Sequence, residues 1–155
     1  MKKSFWDNHK LVKKNLELVN LIKKNNLTKQ VILLGRIENI KAFFSRIDLY
    51  ISTSIGEAFP NAICEAMLHQ IPVISSDVGD ASNIIGHTGW LHPVNDYKSL
   101  ENSLLDAYSQ KKIKDLWKAR KYFAQERIIN NFSLDTMINH FYEAWNNDFS
   151  NERLK

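Results

Sequence analysis

Apolar residues recur along the chain with two periods, and the alternation between those periods predicts the fold. Over residues 5–25, Leu11, Asn15, Leu18 and Ile22 fall on one helical face, widened by Val12, Val19 and Leu21. Lys23, Lys24 and Asn25-Asn26 supply a C-terminal end for that helix. Val31-Ile32-Leu33-Leu34, closed by Gly35, is a continuous apolar run of the kind found in strands buried on both faces. A short helix is predicted near 39–46, then a strand over Asp48–Ser52. Asn61–His69 reads as a helix opened by Pro60, and Pro72–Ser75 as the next strand. Asp80–Ile85 is a short helix closed by Gly86, and Gly89–Leu91 a last short strand. Beyond Pro93 the pattern is helical over 96–109, 111–129 and 133–147, with Ser133 in the N-cap region of the third.

Short buried strands alternating with helices imply parallel βαβ units and an α/β sheet. There is no internal repeat, low-complexity tract or Pro/Gly-rich linker. The helices over about 111–147 form a tail too short for a second domain, so residues 1–155 read as one domain with the tail packed on the sheet.

Composition narrows the function class. The chain is 44% hydrophobic and 25% charged, ordinary for a globular protein with a real core. Its only cysteine, Cys64, excludes an internal disulfide and fits a cytoplasmic setting. No apolar run reaches the length of a membrane span, and the start lacks the apolar stretch of a signal peptide. Residues 1–30 hold eight lysines and two acids, whereas residues 31–110 hold four basic and nine acidic groups. The segment that carries candidate chemistry is therefore acidic, which argues against nucleic acid as a partner.

In an open α/β sheet, ligands bind at the carboxyl ends of the strands. The richest segment there is Ser54-Ile55-Gly56-Glu57-Ala58-Phe59-Pro60-Asn61, a loop that runs into a helix. Free N–H groups at the helix start attract anions such as phosphate. Glu57 lies in the loop, and Glu65 lies one turn into the helix, on the same face as Asn61. Carboxylates accept well from paired sugar hydroxyls. A nucleotide sugar, with both phosphate and polyol groups, suits this set. The plainer alternative is a surface loop acid and a solvated helix acid.

Glu57-Ala58-Phe59-Pro60-Asn61-Ala62-Ile63-Cys64-Glu65-Ala66-Met67 resembles the E-x7-E signature of the retaining, nucleotide-sugar-dependent glycosyltransferases of family 4, the glycosyl transferases group 1. Val31–Arg36, Asp48–Ser54, Ile71–Gly79, Thr88–Leu91 and Phe132-Ser133 with Tyr142 resemble the family's neighbouring segments in order and spacing, over about residues 10–147. Ala58 and Asn83 depart from the pattern, standing where a smaller residue and a glutamate are common.

The resemblance implies a GT-B fold, with this chain as a partial, Rossmann-like C-terminal donor-binding domain. It implies that Glu57 contacts the transferred sugar beside the reacting carbon and that Glu65 holds the donor ribose hydroxyls. It further implies that the backbone of Ala58, Phe59, Pro60 and Asn61 meets sugar and phosphate, and that Gly35, Arg36 and Ile37 lie against the base. The implied activity is hexosyl transfer with retention in surface polysaccharide or glycolipid assembly, without a metal or other cofactor.

The family's two preceding strands, its diphosphate-neutralising Arg and Lys, and its acceptor domain have no counterpart before residue 10. Their absence implies a truncated gene product or half of a split one, partnered by a chain that supplies the acceptor domain and inactive by itself. It also leaves Val31–Leu34 without sheet neighbours. The alternatives are a non-catalytic nucleotide-sugar-binding remnant, a sheet-completing partner of another chain, and the GT-B epimerases.

Other signals carry less. His9, His69, His87, His92 and His140 make no metal-binding spacing, and His87 and His92 read as loop residues. Cys64 reads as a small buried residue rather than a nucleophile. Lys111–Arg120 is basic and amphipathic, with Ile113, Leu116 and Trp117 as a core stripe. Peripheral contact with the inner face of a membrane is the alternative for that stretch.

Overall fold

The computed structural model describes residues 15–152, with side chains as far as Asn146. The chain divides into two compact units between Phe43 and Phe44.

In the first unit, helix α1 (Leu16–Lys24) starts where Asn15 accepts the Leu18 N–H on its Oδ1 at 3.0 Å. Asn15 is thus the cap, not a member of the apolar stripe; the earlier part of the predicted helix lies outside the described residues. Glu17 in the first turn and Lys23 and Lys24 in the last complement the helix dipole. Residues 31–37 are neither helix nor strand, and Ile32 is 64% exposed. The strand predicted at Val31–Leu34 does not form. A strand exists only through pairing, and no second extended segment accompanies this one among the described residues of its unit. Helix α2 (Ile40–Phe44), whose last residue belongs to the second unit, opens at Asn39, whose Oδ1 accepts the Ala42 N–H.

The second unit is built on a parallel sheet of order β1 (Tyr50–Ser52), β2 (Val73–Ser76), β3 (Trp90–His92). Register pairs Ile51 with Ile74, and Ile74 with Trp90. Between the strands lie α3 (Asn61–Leu68) and α4 (Ala81–Ile85). Then follow α5 (Tyr97–Lys111), α6 (Lys114–Asn131) and α7 (Leu134–Glu152). The first ladder bond runs from the Tyr50 N–H to the Pro72 carbonyl, which is why β1 starts two residues later than the pattern suggests.

The central strand β2 is buried throughout, as its apolar run requires. Helices α3, α4 and α5 each pack on β2, and α6 lies against all three. Ile63, Met67, Ile74, Ile84 and Ile85 are the largest apolar side chains fully enclosed there, and Ile128 of α6 closes the core. Trp117 packs against Trp90 with ring centroids 6.4 Å apart. Its predicted companions in the stripe do not join it: Ile113 is the residue before α6 and Leu116 is 41% exposed. The sequence pattern starts that helix at Lys111, but α5 runs through Lys111 and α6 begins only at Lys114. No described helix is long and apolar enough to cross a membrane.

Candidate functional site

The loop between β1 and α3 leaves the carboxyl end of β1 and is held from two sides. The Ser76 hydroxyl, buried at the end of β2, donates to the Ser54 carbonyl at 2.5 Å. The Ser54 hydroxyl donates in turn to Glu57 Oε1 at 2.9 Å, which fixes that carboxylate. On the other side, the segment after β2 crosses beneath the loop at Gly79, whose φ is +52°. A Cβ at Gly79 would collide with the carbonyl oxygens of Glu57 and Ala58, so only glycine allows this approach.

Helix α3 begins behind Pro60, a buried residue that offers no side-chain cap. No serine, threonine or aspartate oxygen therefore occupies the helix N-terminus, where an anion is favoured. Asn61 and Glu65 are exposed, while Ile63, Ala66 and Met67 turn to the core. The 3.6-residue period of α3 thus puts Asn61 and Glu65 on its wet face, as their spacing predicts. Phe59 stands 41% exposed, its ring 6.2 Å from that of Phe132.

Tyr50 links the two carboxylates. Burial raises its phenol above the ordinary 10.0, and the charges of Glu57 and Glu65 raise it further. Both glutamates are therefore within electrostatic reach of one side chain at the start of β1. Burial likewise pushes the Cys64 thiol up and keeps it protonated, the condition of an inert side chain. Among the described residues, no three His, Cys, Asp or Glu side chains converge where a metal ion would sit.

Glu57, Ala58, Phe59, Pro60, Asn61 and Glu65 are thus brought together around one loop and helix start. Gly35, Arg36 and Ile37 belong to the first unit: Gly35 has φ +66°, Arg36 is exposed and Ile37 half-buried. The sequence marks Ser75–Gly79, like Gly35–Glu38 and Ser54–Glu65, as a candidate segment at the carboxyl end of a strand, but assigns Ser76, Gly79 and Ser54 no individual role and does not mark Tyr50. The Ser54-x-x-Glu57 spacing is the signal available in the sequence, since it sets a hydroxyl donor and a carboxylate acceptor within one turn of each other. His92, expected in a loop, is the last residue of β3 and is buried.

The family model described as glycosyl transferases group 1 matches residues 10–110. Over 125 residues the chain is 28% identical to the UDP-Gal:alpha-D-GlcNAc-diphosphoundecaprenol alpha-1,3-galactosyltransferase of Escherichia coli, covering 76% of this chain and 31% of that protein. A glycosyltransferase structure from Rickettsia africae superposes with a TM-score of 0.75 at 27% identity, over 83% of this chain and 35% of that one. The Anabaena protein HepE, solved in complex with UDP-glucose, gives a TM-score of 0.71 at 25% identity, over 84% of this chain and 36% of that one. The chain spans about a third of the length of each of these relatives.

Proposed function

The chain belongs to the glycosyl transferases group 1 family, and from that premise we propose that it is the donor-binding part of an enzyme that transfers a hexose from a nucleotide sugar with retention. Its parallel α/β sheet with flanking helices is that of the C-terminal domain of GT-B glycosyltransferases. In this reading Glu65 accepts the paired ribose hydroxyls, and Glu57 accepts from the transferred sugar beside its reacting carbon. The positive dipole end of α3 and the backbone of Ala58–Asn61 face the diphosphate, while the Asn61 and Ile63 N–H groups bond the Phe59 and Pro60 carbonyls. The departing diphosphate gathers negative charge in the transition state, and fixed N–H dipoles stabilise it without reorganising. The observation that carries the reading is the pair of carboxylates, one pinned by Ser54, both acting on Tyr50, on either side of an uncapped helix start.

One observation favours a narrower second reading, a module that binds the nucleotide sugar and does not turn it over by itself. The sequence has no Lys or Arg between Arg46 and Lys98, so no side-chain cation of the loops after β1 and β2 meets the diphosphate. Acceptor binding and the missing positive charge then come from a further domain, in the same polypeptide or in a partner chain. Aligning the acceptor against the reacting carbon is worth about 7–11 kcal/mol of the barrier. We therefore expect no transferase turnover from residues 1–155 alone.

Calorimetry with UDP and other nucleoside diphosphates, on the 155-residue chain and on Glu65→Ala, tests the binding common to both readings. Loss of charged hydrogen bonds worth about 1.5–3 kcal/mol each weakens affinity at least tenfold in the variant. Equal affinities would remove the ribose assignment. Acceptor-dependent release of nucleoside diphosphate by the 155-residue chain would remove the narrower reading.

A further inference from the structure

We propose that the corner where α5 turns into α6 docks on an anionic phospholipid surface, its lysines on the headgroups and Ile113 and Tyr108 at the boundary with the acyl chains. Lys112 and Ile113 alone join the two helices. Residues 108–121 hold six Lys or Arg and one acid, Asp115. The sequence allows two readings of this stretch, a helix packed through Ile113, Leu116 and Trp117, and a surface that meets lipid. The structure buries only Trp117 of the three and leaves Ile113 58% and Leu116 41% exposed, so packing does not account for them.

Two residues of the corner are locally unfavourable in water. Ile113 occupies the N-cap position of α6 and makes no side-chain cap bond there. Serine, threonine, aspartate and asparagine are preferred at that position, and isoleucine is among the poorest. Its exposed side chain gains nothing from the core in return. Lys114 opens α6 at the positive end of the helix dipole, which disfavours a cation, and Asp115 offsets only part of this. At a lipid surface both are relieved, since Ile113 leaves water and Lys114 meets phosphate. Tyr108, 62% exposed, adds an aromatic ring of the amphipathic kind that is enriched at membrane interfaces. The Lys112 Nζ lies 4.4 Å from the centre of that ring, so a charged tip and an apolar face are presented together.

Charge decides which surface fits. Lys111 is paired with Asp48 at 2.9 Å, and the Arg120 guanidinium lies over the Trp90 ring and donates to Gln110. Lys112, Lys114 and Lys118 are exposed and form no ion pair among the described residues. Each lysine brought to an anionic leaflet strengthens attachment about fivefold, so these three supply about 100-fold. Nucleic acid shares the negative charge, but it has no acyl region to take up Ile113 and Leu116. Helix α6 does not lie flat in the lipid, because Trp117, Ala124 and Ile128 hold it to the core. Contact is made by its first turn and by the end of α5. Helix α7 is the contrast: Leu134, Phe141 and Tyr142 are exposed, yet residues 133–152 contain no Lys or Arg to meet anionic headgroups.

The test is sedimentation of the full chain with vesicles, at about 0.15 M salt. One set is phosphatidylcholine alone, the other phosphatidylcholine and phosphatidylglycerol in equal parts. The chain should bind the anionic set and not the neutral one. Combined Lys112→Gln, Lys114→Gln and Lys118→Gln should weaken that binding about 100-fold. Combined Lys23→Gln, Lys24→Gln and Lys29→Gln removes the same charge from the first unit and should leave binding within about threefold. Ile113→Ser keeps the charge and supplies a favoured N-cap. It should raise the midpoint of urea denaturation and yet weaken vesicle binding about fivefold or more. Equal binding to both sets, no binding to the anionic set, or equal losses with the two triple variants each overturns the proposal. So does an Ile113→Ser variant that binds vesicles as wild type does, or one less stable than wild type, which would make Ile113 a packing residue. Binding to a polyuridine strand with none to anionic vesicles assigns the lysines to nucleic acid and overturns the lipid. The assay contains no nucleotide or sugar, so its outcome is independent of the donor assignment.

Discussion

The backbone N–H of Asp80 donates to the carbonyl of Ala58 at 3.0 Å. That bond fastens the turn after β2 to the loop that carries Glu57, so two crossovers of the sheet meet directly under the candidate site. Position 79, one residue before the donor, is where the two backbones come closest.

Gly79→Ala should therefore disturb both stability and site. The positive φ alone costs about 1–2 kcal/mol for a residue with a Cβ, and the collision with two carbonyl oxygens displaces the loop. Urea denaturation should show a loss of about 2–4 kcal/mol, with weaker UDP binding in the protein that remains folded. A variant as stable as wild type would mean that the loop is not clamped at this point.

Glu57→Gln keeps the Ser54 hydrogen bond and removes the charge. If the carboxylate acts on the transferred sugar, turnover in the active assembly falls about 100-fold or more while nucleoside diphosphate affinity stays within about twofold. Steady-state kinetics beside calorimetry separates the two effects. Turnover close to wild type would leave Glu57 without a catalytic part.

Tyr50 gives the protein an alkaline limit. Its phenol is raised in the folded state by burial first, then by Glu57 and Glu65. The unfolded chain ionises near the ordinary 10.0, so this contribution to stability is complete below that pH and is lost as pH rises through the folded value. Tyr50→Phe should flatten the decline in stability above pH 10.0 and leave the neutral range unchanged. The check is a pair of denaturation series across that range, and parallel curves would refute the assignment.

Arg127 closes the short helix α4. Its Nε donates to the Ile84 carbonyl at 2.8 Å and its Nη2 to the Asn83 carbonyl at 2.5 Å. The guanidinium fills the space that a side chain at Gly86 would need. Arg127→Ala should destabilise by about 1–3 kcal/mol, and Arg127→Lys should recover only part of that, because an ammonium lacks the planar fork. Recovery to wild-type stability by lysine would point to charge alone.

The sequence pattern identifies an element securely where burial is decided by neighbours close along the chain. Val73-Ile74-Ser75 and Val31-Ile32-Leu33-Leu34 look alike as strings, yet among the described residues only the first has a strand on either side. Helix faces fail for a related reason. Ile113 and Trp117 share a face only if one helix contains both, and Ile113 precedes the first turn of α6, so of that stripe only Trp117 turns inward. The carboxylate pair at Glu57 and Glu65 is legible because its geometry comes from one loop and one helix turn. Tyr50, Ser76, Gly79 and His92 reach their places through strand pairing and crossovers, which a single sequence does not display.

Neighbouring strands of the sheet are also neighbours in the chain, since its order is β1-β2-β3. Each pairing therefore closes across a single crossover and never waits for a distant segment. Each closure spans one helix and its loops, and so costs less loop entropy than pairing with a strand from elsewhere in the chain. For a protein made from its N-terminus, β1 can meet β2 as soon as Ser76 clears the ribosome, before α6 exists to cover them. The Glu57 loop and its Gly79 clamp thus belong to the earliest half of the unit to assemble, and α6 seals a site region whose backbone is already set.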